Sequence, residues 1–319
     1  MKGQNSKIVF LGTPGFAVAP LEAIFKAKYA ILGVITAPDK PIGRKQILTP
    51  PAVKIAAQKL GLLVYQPETK AELADILKTL QPDLCVVAAF GMIFSKEALE
   101  IPKFGFINIH ASLLPRWRGP SPIQAAILNG DEKTGVTIML INEKMDEGKI
   151  LATRHVPLAT RKITTEELSK ELSKLGAELL IETLPKYLNG EIKPRKQNDV
   201  GATYCKIIKK QDGLIDWHKP AEYIERQIRA YYPWPTAYAE LRIKNEELRI
   251  LKIIKAEVSE ENKHKIGEIF LNQNKKLAVK CGKGSLILET VQPEGKKPMS
   301  GEEFLRGHQE IIGSILVSE

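Results

Sequence analysis

The sequence predicts an α/β protein in two parts: a doubly wound, mainly parallel sheet of Rossmann-like kind, then a smaller β-barrel of OB-like kind. Three observations predict it. The first half alternates short β-rich runs with helical stretches, the pattern of successive strand–helix–strand units with right-handed crossovers. The run 83–90, Asp-Leu-Cys-Val-Val-Ala-Ala-Phe, is almost wholly apolar, as a strand buried on both sheet faces must be. Beyond Gln211 the helical pattern gives way to five short alternating segments separated by turn residues. At 319 residues the chain is also longer than one core usually sustains.

Taken in order, Lys7-Ile-Val-Phe-Leu-Gly12 reads as a buried strand, and 16–26 as a helix with apolar positions at helical spacing. Residues 31–36 form a second strand. Residues 37–51, rich in Pro, Gly and basic groups, are too irregular for either element. A helix over 53–60, a short strand at 63–65 and a helix over 70–80 follow. After strand 83–90, a short helix near 95–99 leads into strand 106–110, helix 123–128 and strand 135–141. Residues 165–188 form one long amphipathic helix, opened by the capping-box pattern Thr164-Thr-Glu-Glu167 and ended at Asn189-Gly190. Residues 190–208 carry little apolar material and read as a basic linker, so the expected domains are 1–189 and 209–319. In the second, a helix over 221–230 precedes a Tyr231-Tyr-Pro-Trp-Pro-Thr turn. Strands at 237–243, 249–258, 267–271, 277–281 and 285–291 build the barrel, and a helix over 300–306 opens on a Ser-Gly-Glu-Glu cap.

The longest apolar run, 84–94, falls well short of the ~20 residues a membrane helix needs. No targeting segment is visible. Cys85, Cys205 and Cys281 are odd in number and lack metal-like spacing, which fits a reduced, cytoplasmic protein with no metal. The formal net charge is +10. Residues 186–210 hold seven basic and two acidic side chains, whereas 211–319 balance at seventeen of each. That concentration suits a polyanionic partner, and a solvated linker accounts for much of it unaided.

Chemistry concentrates in Phe106-Ile-Asn-Ile-His-Ala-Ser-Leu-Leu-Pro-Arg-Trp-Arg-Gly119. Strand alternation puts Asn108 and His110 on one face. The amide can donate to an oxyanion and the imidazole can move a proton. The run 112–115 then turns out of the sheet, where open α/β sheets bind ligands. Asp146 lies in the polar loop after strand 136–141. If that strand neighbours 106–110, the loop sits over His110 at the carboxyl edge. The Gly12-Thr-Pro-Gly-Phe turn lacks the third glycine of a dinucleotide fingerprint and the Gly-Lys-Ser/Thr of a Walker loop, so a plain strand-to-helix turn is the better reading.

The Asn-x-His…Asp set with Ser-Leu-Leu-Pro, together with Phe10-Leu-Gly-Thr-Pro-Gly-Phe-Ala, Thr36-Ala-Pro-Asp-Lys-Pro-Ile-Gly-Arg44, Pro122-Ile-Gln124, Thr134-Gly-Val-Thr-Ile-Met139 and Tyr232-Pro-Trp-Pro235, resembles the methionyl-tRNA formyltransferases, a branch of the folate-dependent formyltransferases. The resemblance runs nearly end to end. It departs at Ala111, where many relatives carry Gly, and at Gly15, where an acidic residue is expected. It implies formyl transfer from 10-formyltetrahydrofolate to initiator methionyl-tRNA, without a metal, membrane or protein partner. It implies that Asn108, His110 and Asp146 are catalytic and that Ser112, Leu113, Leu114 and Pro115 lie at the folate site. Phe90, Gly91 and Met92 end the apolar run at the same sheet edge and are candidates for the pterin pocket. Arg44 and Lys45 would meet the acceptor end of the tRNA, with Lys206, Lys209 and Lys210 continuing the basic stripe. Two rivals stay open. A formyltransferase acting on a small amine would not need the basic linker, and a non-catalytic RNA-binding protein would not need the Asn–His–Asp set.

Overall fold

A computed structural model describes residues 6–43, 46–159, 161–241 and 249–316. The chain runs β1 (Lys7–Gly12), a 3-10 turn at Gly15–Ala17, α1 (Val18–Lys26), β2 (Ala30–Ile35), β3 (Lys40–Ile42), β4 (Ile47–Thr49), α2 (Ala52–Lys59), β5 (Val64–Tyr65), α3 (Lys70–Leu80), β6 (Leu84–Ala88), α4 (Lys96–Glu100), β7 (Phe106–His110), α5 (Pro122–Asn129), β8 (Lys133–Leu140), β9 (Ile150–Pro157) and α6 (Thr165–Leu188). It continues through α7 (Ala221–Ala230), β10 (Ala237–Leu241), β11 (Arg249–Ser259), β12 (Ile269–Leu271), β13 (Leu277–Lys280), β14 (Ser285–Pro293), β15 (Met299–Ser300) and α8 (Gly301–Gly307). No described helix is long and apolar enough to cross a membrane.

The first unit, residues 1–122, 133–157 and 168–206, holds a seven-stranded sheet ordered β5-β2-β1-β6-β7-β8-β9. Strands β5 to β7 are parallel, and β8 and β9 run antiparallel to their neighbours. The order reverses between β1 and β6, so their carboxyl ends flank the crevice where such sheets bind ligands. Thr13, just after β1, bridges that reversal: its hydroxyl donates to Phe90 O at 3.2 Å and accepts from Ala37 N–H at 3.3 Å. One face is built on Val9, Leu11, Cys85, Val87 and Phe106 packed against Leu73 and Leu77 of α3 and Ala98 of α4. Capping fixes both helices: Thr69 and Ser95 accept from the backbone N–H of Glu72 and Ala98.

The second unit, residues 123–132, 158–167 and 207–319, is an antiparallel half-barrel ordered β10-β11-β14-β13-β12, with β15 on β14. Its core gathers Ile224 and Ile228 of α7 with Leu251, Ile253, Leu277, Leu288, Val291 and Phe304. The Ser300–Glu303 capping box opens α8 as the sequence indicates.

Three expectations need correction. Residues 37–51 contain a hairpin, β3–β4, too short for a period-two pattern to register and turned by Gly43 at φ 73°. A salt link holds its base, with Lys54 Nζ 2.8 Å from both Asp39 oxygens and from Gln66 Oε1. Strand β9 has no counterpart in the sequence reading. Finally, 190–206 is not a free linker. Arg195 and Ile150 exchange backbone hydrogen bonds of 2.8 and 2.9 Å, and the segment beyond them belongs to the first unit. The unit boundary lies at 206/207, and pieces 123–132 and 158–167 join the second unit. There Arg226 Nε donates to Leu128 O at 3.0 Å and Thr165 Oγ1 to Ala230 O at 2.6 Å. Hydrogen bonds between distant segments leave no compositional trace.

Gly176 of α6 shows packing overruling propensity. A Cβ there would sit 2.7 Å from Ile109 Cγ2. Helix propensity alone favours alanine over glycine by ~1 kcal/mol. The collision should instead make Gly176→Ala destabilising by about 1–3 kcal/mol, the usual cost of overpacking, read as a lower midpoint in denaturant unfolding. A stabilised variant would mean α6 can lift off β7 at no cost.

Candidate active site

Asn108 and His110 leave β7 on one face, as the alternation requires, with Val87 of β6 beside Asn108 and Met139 and Thr137 of β8 opposite Asn108 and His110. Asn108 is half-buried, and among the described residues its side-chain amide has no hydrogen-bond partner. His110 is buried at 5% exposure. Its Nε2 lies 2.9 Å from the Trp117 carbonyl oxygen and its Nδ1 lies 3.6 Å from Asp146 Oδ1. A carbonyl oxygen only accepts, so Nε2 carries hydrogen and donates to it. Nδ1 is therefore the position where a proton comes and goes, facing a carboxylate just beyond direct hydrogen-bond reach.

Asp146 reaches His110 from the opposite end of the strand to the one expected from the sequence. Because β8 is antiparallel to β7, Leu140 pairs with Ile107 and the loop after β8 starts at the amino end of β7, not the carboxyl edge. Ile141 packs on the Phe106 side, and the loop folds back over the face that bears Asn108 and His110. Asp146 itself adopts φ 54°. Its Oδ2 accepts from Gly119 N–H at 2.8 Å, and its backbone oxygen accepts from Gln197 Nε2 at 2.7 Å.

The loop after β7 is rigidly held. Thr137 Oγ1 donates to Ser112 O at 2.7 Å and accepts from Leu114 N–H at 3.2 Å, while Ser112 Oγ donates to Arg116 O at 2.6 Å. Ser112 and Leu114 are buried, and Leu113 and Pro115 are half-buried. Trp117 N–H donates to Thr203 Oγ1 at 2.9 Å, and Arg118 and Cys205 pair through their backbones with the same segment. Gly119 is required here. Its φ is 116°, and a Cβ would stand 2.5 Å from Cys205 O.

Arg118, 2% exposed, is the largest polar group inside. Its Nε and one terminal nitrogen donate to Gln197 Oε1 at 3.1 and 2.9 Å, and it reaches Asp199 Oδ1 at 2.8 Å and Tyr204 Oη at 3.0 Å. Burial works against its charge, but Asp199, Tyr204 and Glu147 outweigh that and raise its pKa above the ordinary arginine value. Arg118 and Gln197 were not picked out from the sequence. Gln197 lies in a polar stretch with nothing to distinguish it from solvated neighbours.

Of the other candidates, Phe90 points into the core against Phe94, Met92 packs on the same cluster half-buried, and Gly91 is exposed at φ 87°. All three follow β6 at the carboxyl edge. Lys206, Lys209 and Lys210 are exposed, the first in one unit and the other two in the second. Arg44 and Lys45 lie outside the described residues. Among the described residues no three His, Cys, Asp or Glu side chains gather as metal ligands would.

Residues 6–184 match the family described as Formyl transferase, and 207–309 the one described as Formyl transferase, C-terminal domain. A methionyl-tRNA formyltransferase of Roseiflexus castenholzii is 47% identical over 305 residues, 94% of this chain and 96% of its own. That of Bacillus licheniformis is 44% identical over 95% of each chain. Two solved structures share the fold. HypX from Aquifex aeolicus in complex with tetrahydrofolic acid has a TM-score of 0.65 at 16% identity; 98% of this chain is covered, spanning about half (48%) of HypX. WlaRD, a sugar 3N-formyltransferase crystallised with dTDP and 5-N-formyl-THF, has a TM-score of 0.64 at 22% identity over 92% of this chain and 100% of its own.

The Arg118 link has a pH consequence. Hydrogen bonding from Arg118 holds the Asp199 carboxyl below the ordinary carboxylate value, although its side chain is 72% exposed. A carboxyl with a depressed folded-state pKa stabilises above its unfolded value, about 4, and loses that contribution as pH falls through the folded value. Asp199→Asn should therefore be slightly less stable than the parent at pH 7, less so at high salt, with the deficit shrinking as pH falls below the ordinary carboxylate range and vanishing once pH passes below the folded-state value. Denaturant midpoints at pH 7 and in acid check this; an equal deficit at both would tie Asp199 to packing rather than charge.

Proposed function

The chain belongs to the formyl transferase family, and from that membership we propose that it transfers the formyl group of 10-formyltetrahydrofolate to the α-amino group of initiator methionyl-tRNA, yielding N-formylmethionyl-tRNA for translation initiation. The observation that carries the chemistry is the Asn108 amide, without a hydrogen-bond partner among the described residues, two residues before a buried imidazole whose Nδ1 faces a carboxylate. Identity of 43–47% to methionyl-tRNA formyltransferases across nearly the whole chain supports the acceptor. The 22% likeness to a sugar N-formyltransferase carries the fold only, so the small-amine reading has no comparable support.

The folate donor would supply an activated formyl carbon, and the donor nitrogen from which the formyl leaves would take up a proton. The residues present fit such a group. Met92 offers an apolar surface on the cluster containing Val87, the sheet neighbour of Asn108, and the 112–115 turn is fixed in place by Thr137. Asn108 directs its free N–H groups at the negative charge that develops on the formyl oxygen. Such a donor costs no reorganisation at the moment of reaction. His110 and Asp146 receive the proton that the attacking amine must lose. With Nε2–H committed to Trp117 O, that proton passes through Nδ1, and the 3.6 Å gap to Asp146 leaves room for the pair to tighten. We read the first unit as catalytic and the second as tRNA-binding, with Arg44, Lys45, Lys206, Lys209 and Lys210 meeting tRNA phosphates. The three free cysteines support a reduced, cytoplasmic setting.

Incubation with 10-formyltetrahydrofolate and charged initiator tRNA, assayed for formylmethionine, is the direct test. Absence of product sinks the assignment. Asn108→Ala should lower kcat by about 10²–10³ with tRNA affinity nearly unchanged, because the donor acts mainly in the transition state. His110→Ala and Asp146→Ala should each be severe, and the double variant should lose far less than the product of the two; a multiplicative loss would separate them. Affinity for tRNA should fall steeply with salt, and neutralising Lys209 and Lys210 together should flatten the log–log slope by about one to two units. A salt-independent acceptor affinity would point to a small amine.

A further inference from the structure

We infer that Gln197 is a positioning residue for formyl transfer, acting through Asp146 rather than on substrate; this rests on the proposed function of the Asn108–His110–Asp146 site. Gln197 is buried at 6% exposure. Its single NH2 group donates to two carbonyls of the Asp146 loop, Asp146 O at 2.7 Å and Gly148 O at 2.8 Å. Its Oε1 accepts two donors from Arg118, at 3.1 and 2.9 Å. That arrangement fixes which end of the amide is nitrogen. The reverse orientation would set N–H groups against a guanidinium and an oxygen against two carbonyls, with no hydrogen bond left.

Both hydrogens of the amide are thus used on the backbone of the residue whose carboxylate faces His110. Asp146 sits at φ 54° in a turn, a left-handed conformation that aspartate tolerates better than most L-residues. Two contacts hold it from opposite ends: Gly119 N–H takes the carboxylate, and Gln197 takes the main chain. Arg118, the residue before Gly119, orients Gln197, and Trp117, the residue before that, orients His110. Three consecutive residues therefore set both members of the proton-handling pair, and Gln197 is the piece that carries their geometry into the Asp146 backbone.

The test compares the parent with Gln197→Glu, which keeps the acceptor for Arg118 but removes both donors, and with Gln197→Met, which removes everything polar. Displacing a reacting group by about 1 Å costs up to ~10²-fold. We expect Gln197→Glu to lower kcat by roughly 10- to 100-fold while KM for the folate donor and for methionyl-tRNA stays within about 2-fold, since neither substrate touches the residue. In an Asp146→Ala background the same substitution should cost less than about 2-fold, because the group it positions is gone. An unchanged kcat, a loss confined to KM, or an undiminished loss beside Asp146→Ala overturns the inference. A second readout needs no acceptor. The imidazole ¹⁵N signals of His110, assigned with His110→Ala, should change in chemical shift and pH profile at Nδ1 in whichever variant melts within about 5 °C of the parent. Signals identical to the parent's overturn the inference too. Failure of the parent to formylate methionyl-tRNA would overturn the functional reading alone, and the His110 signals would still decide Gln197.

Discussion

A carbonyl oxygen has no hydrogen to give, and the rest of this site follows from one such oxygen lying 2.9 Å from His110 Nε2. The Trp117 carbonyl settles the tautomer before any substrate arrives, leaving Nδ1 as the exchangeable position and making Asp146 the group it faces. Holding that carbonyl there requires a backbone that most sequences avoid. Trp117 has φ 58°, a conformation that costs an L-residue about 1–2 kcal/mol. The cost is offset by hydrogen bonds from Trp117 and Arg118 to Thr203 and from Cys205 back to Arg118.

The segment that offsets it carries little apolar material. Residues 195–205 owe their order to polar contacts: a backbone exchange with the start of β9, two hydrogen bonds from Arg118 to Gln197, and charge pairing of Arg118 with Asp199 and Glu147. Buried polar groups of this kind are favourable only when every member has a partner, because an unpaired one keeps its full desolvation cost. Arg118 meets that condition with three side chains and both of its backbone groups. Rigidity at the site therefore comes from a satisfied polar network standing beside the apolar core, while the sheet beneath supplies the fixed platform of β7.

Element type was largely legible. The helices over 70–80, 165–188 and 221–230 and the strand 106–110 coincide with α3, α6, α7 and β7, because each combines a clear period with a cap or breaker at its ends. The strands that the sequence pattern does not mark are β3, β4, β9 and the two-residue β15. The hairpin strands are three residues each, and β9 alternates only in the half-buried pattern of an edge strand. The linker reading of 190–208 failed for a different reason: apolar content is a sound guide to packing only where packing is apolar.

The catalytic candidates divide along the same line. The sequence by itself determined that Asn108 and His110 share a face and end a strand, since the two-residue period is a property of the extended chain, and that a Pro-containing turn follows them. It also determined membership of the formyl transferase family, through blocks of residues that extend nearly end to end. Tertiary structure alone decided the direction of β8, the return of the Asp146 loop across the sheet, and the placement of Trp117 O, Gly119 N–H and Gln197 around the pair. Those are relations between segments up to about eighty residues apart. They depend on where backbone donors and acceptors meet in space, and main-chain groups are the same in every residue but proline, so no residue type announces them.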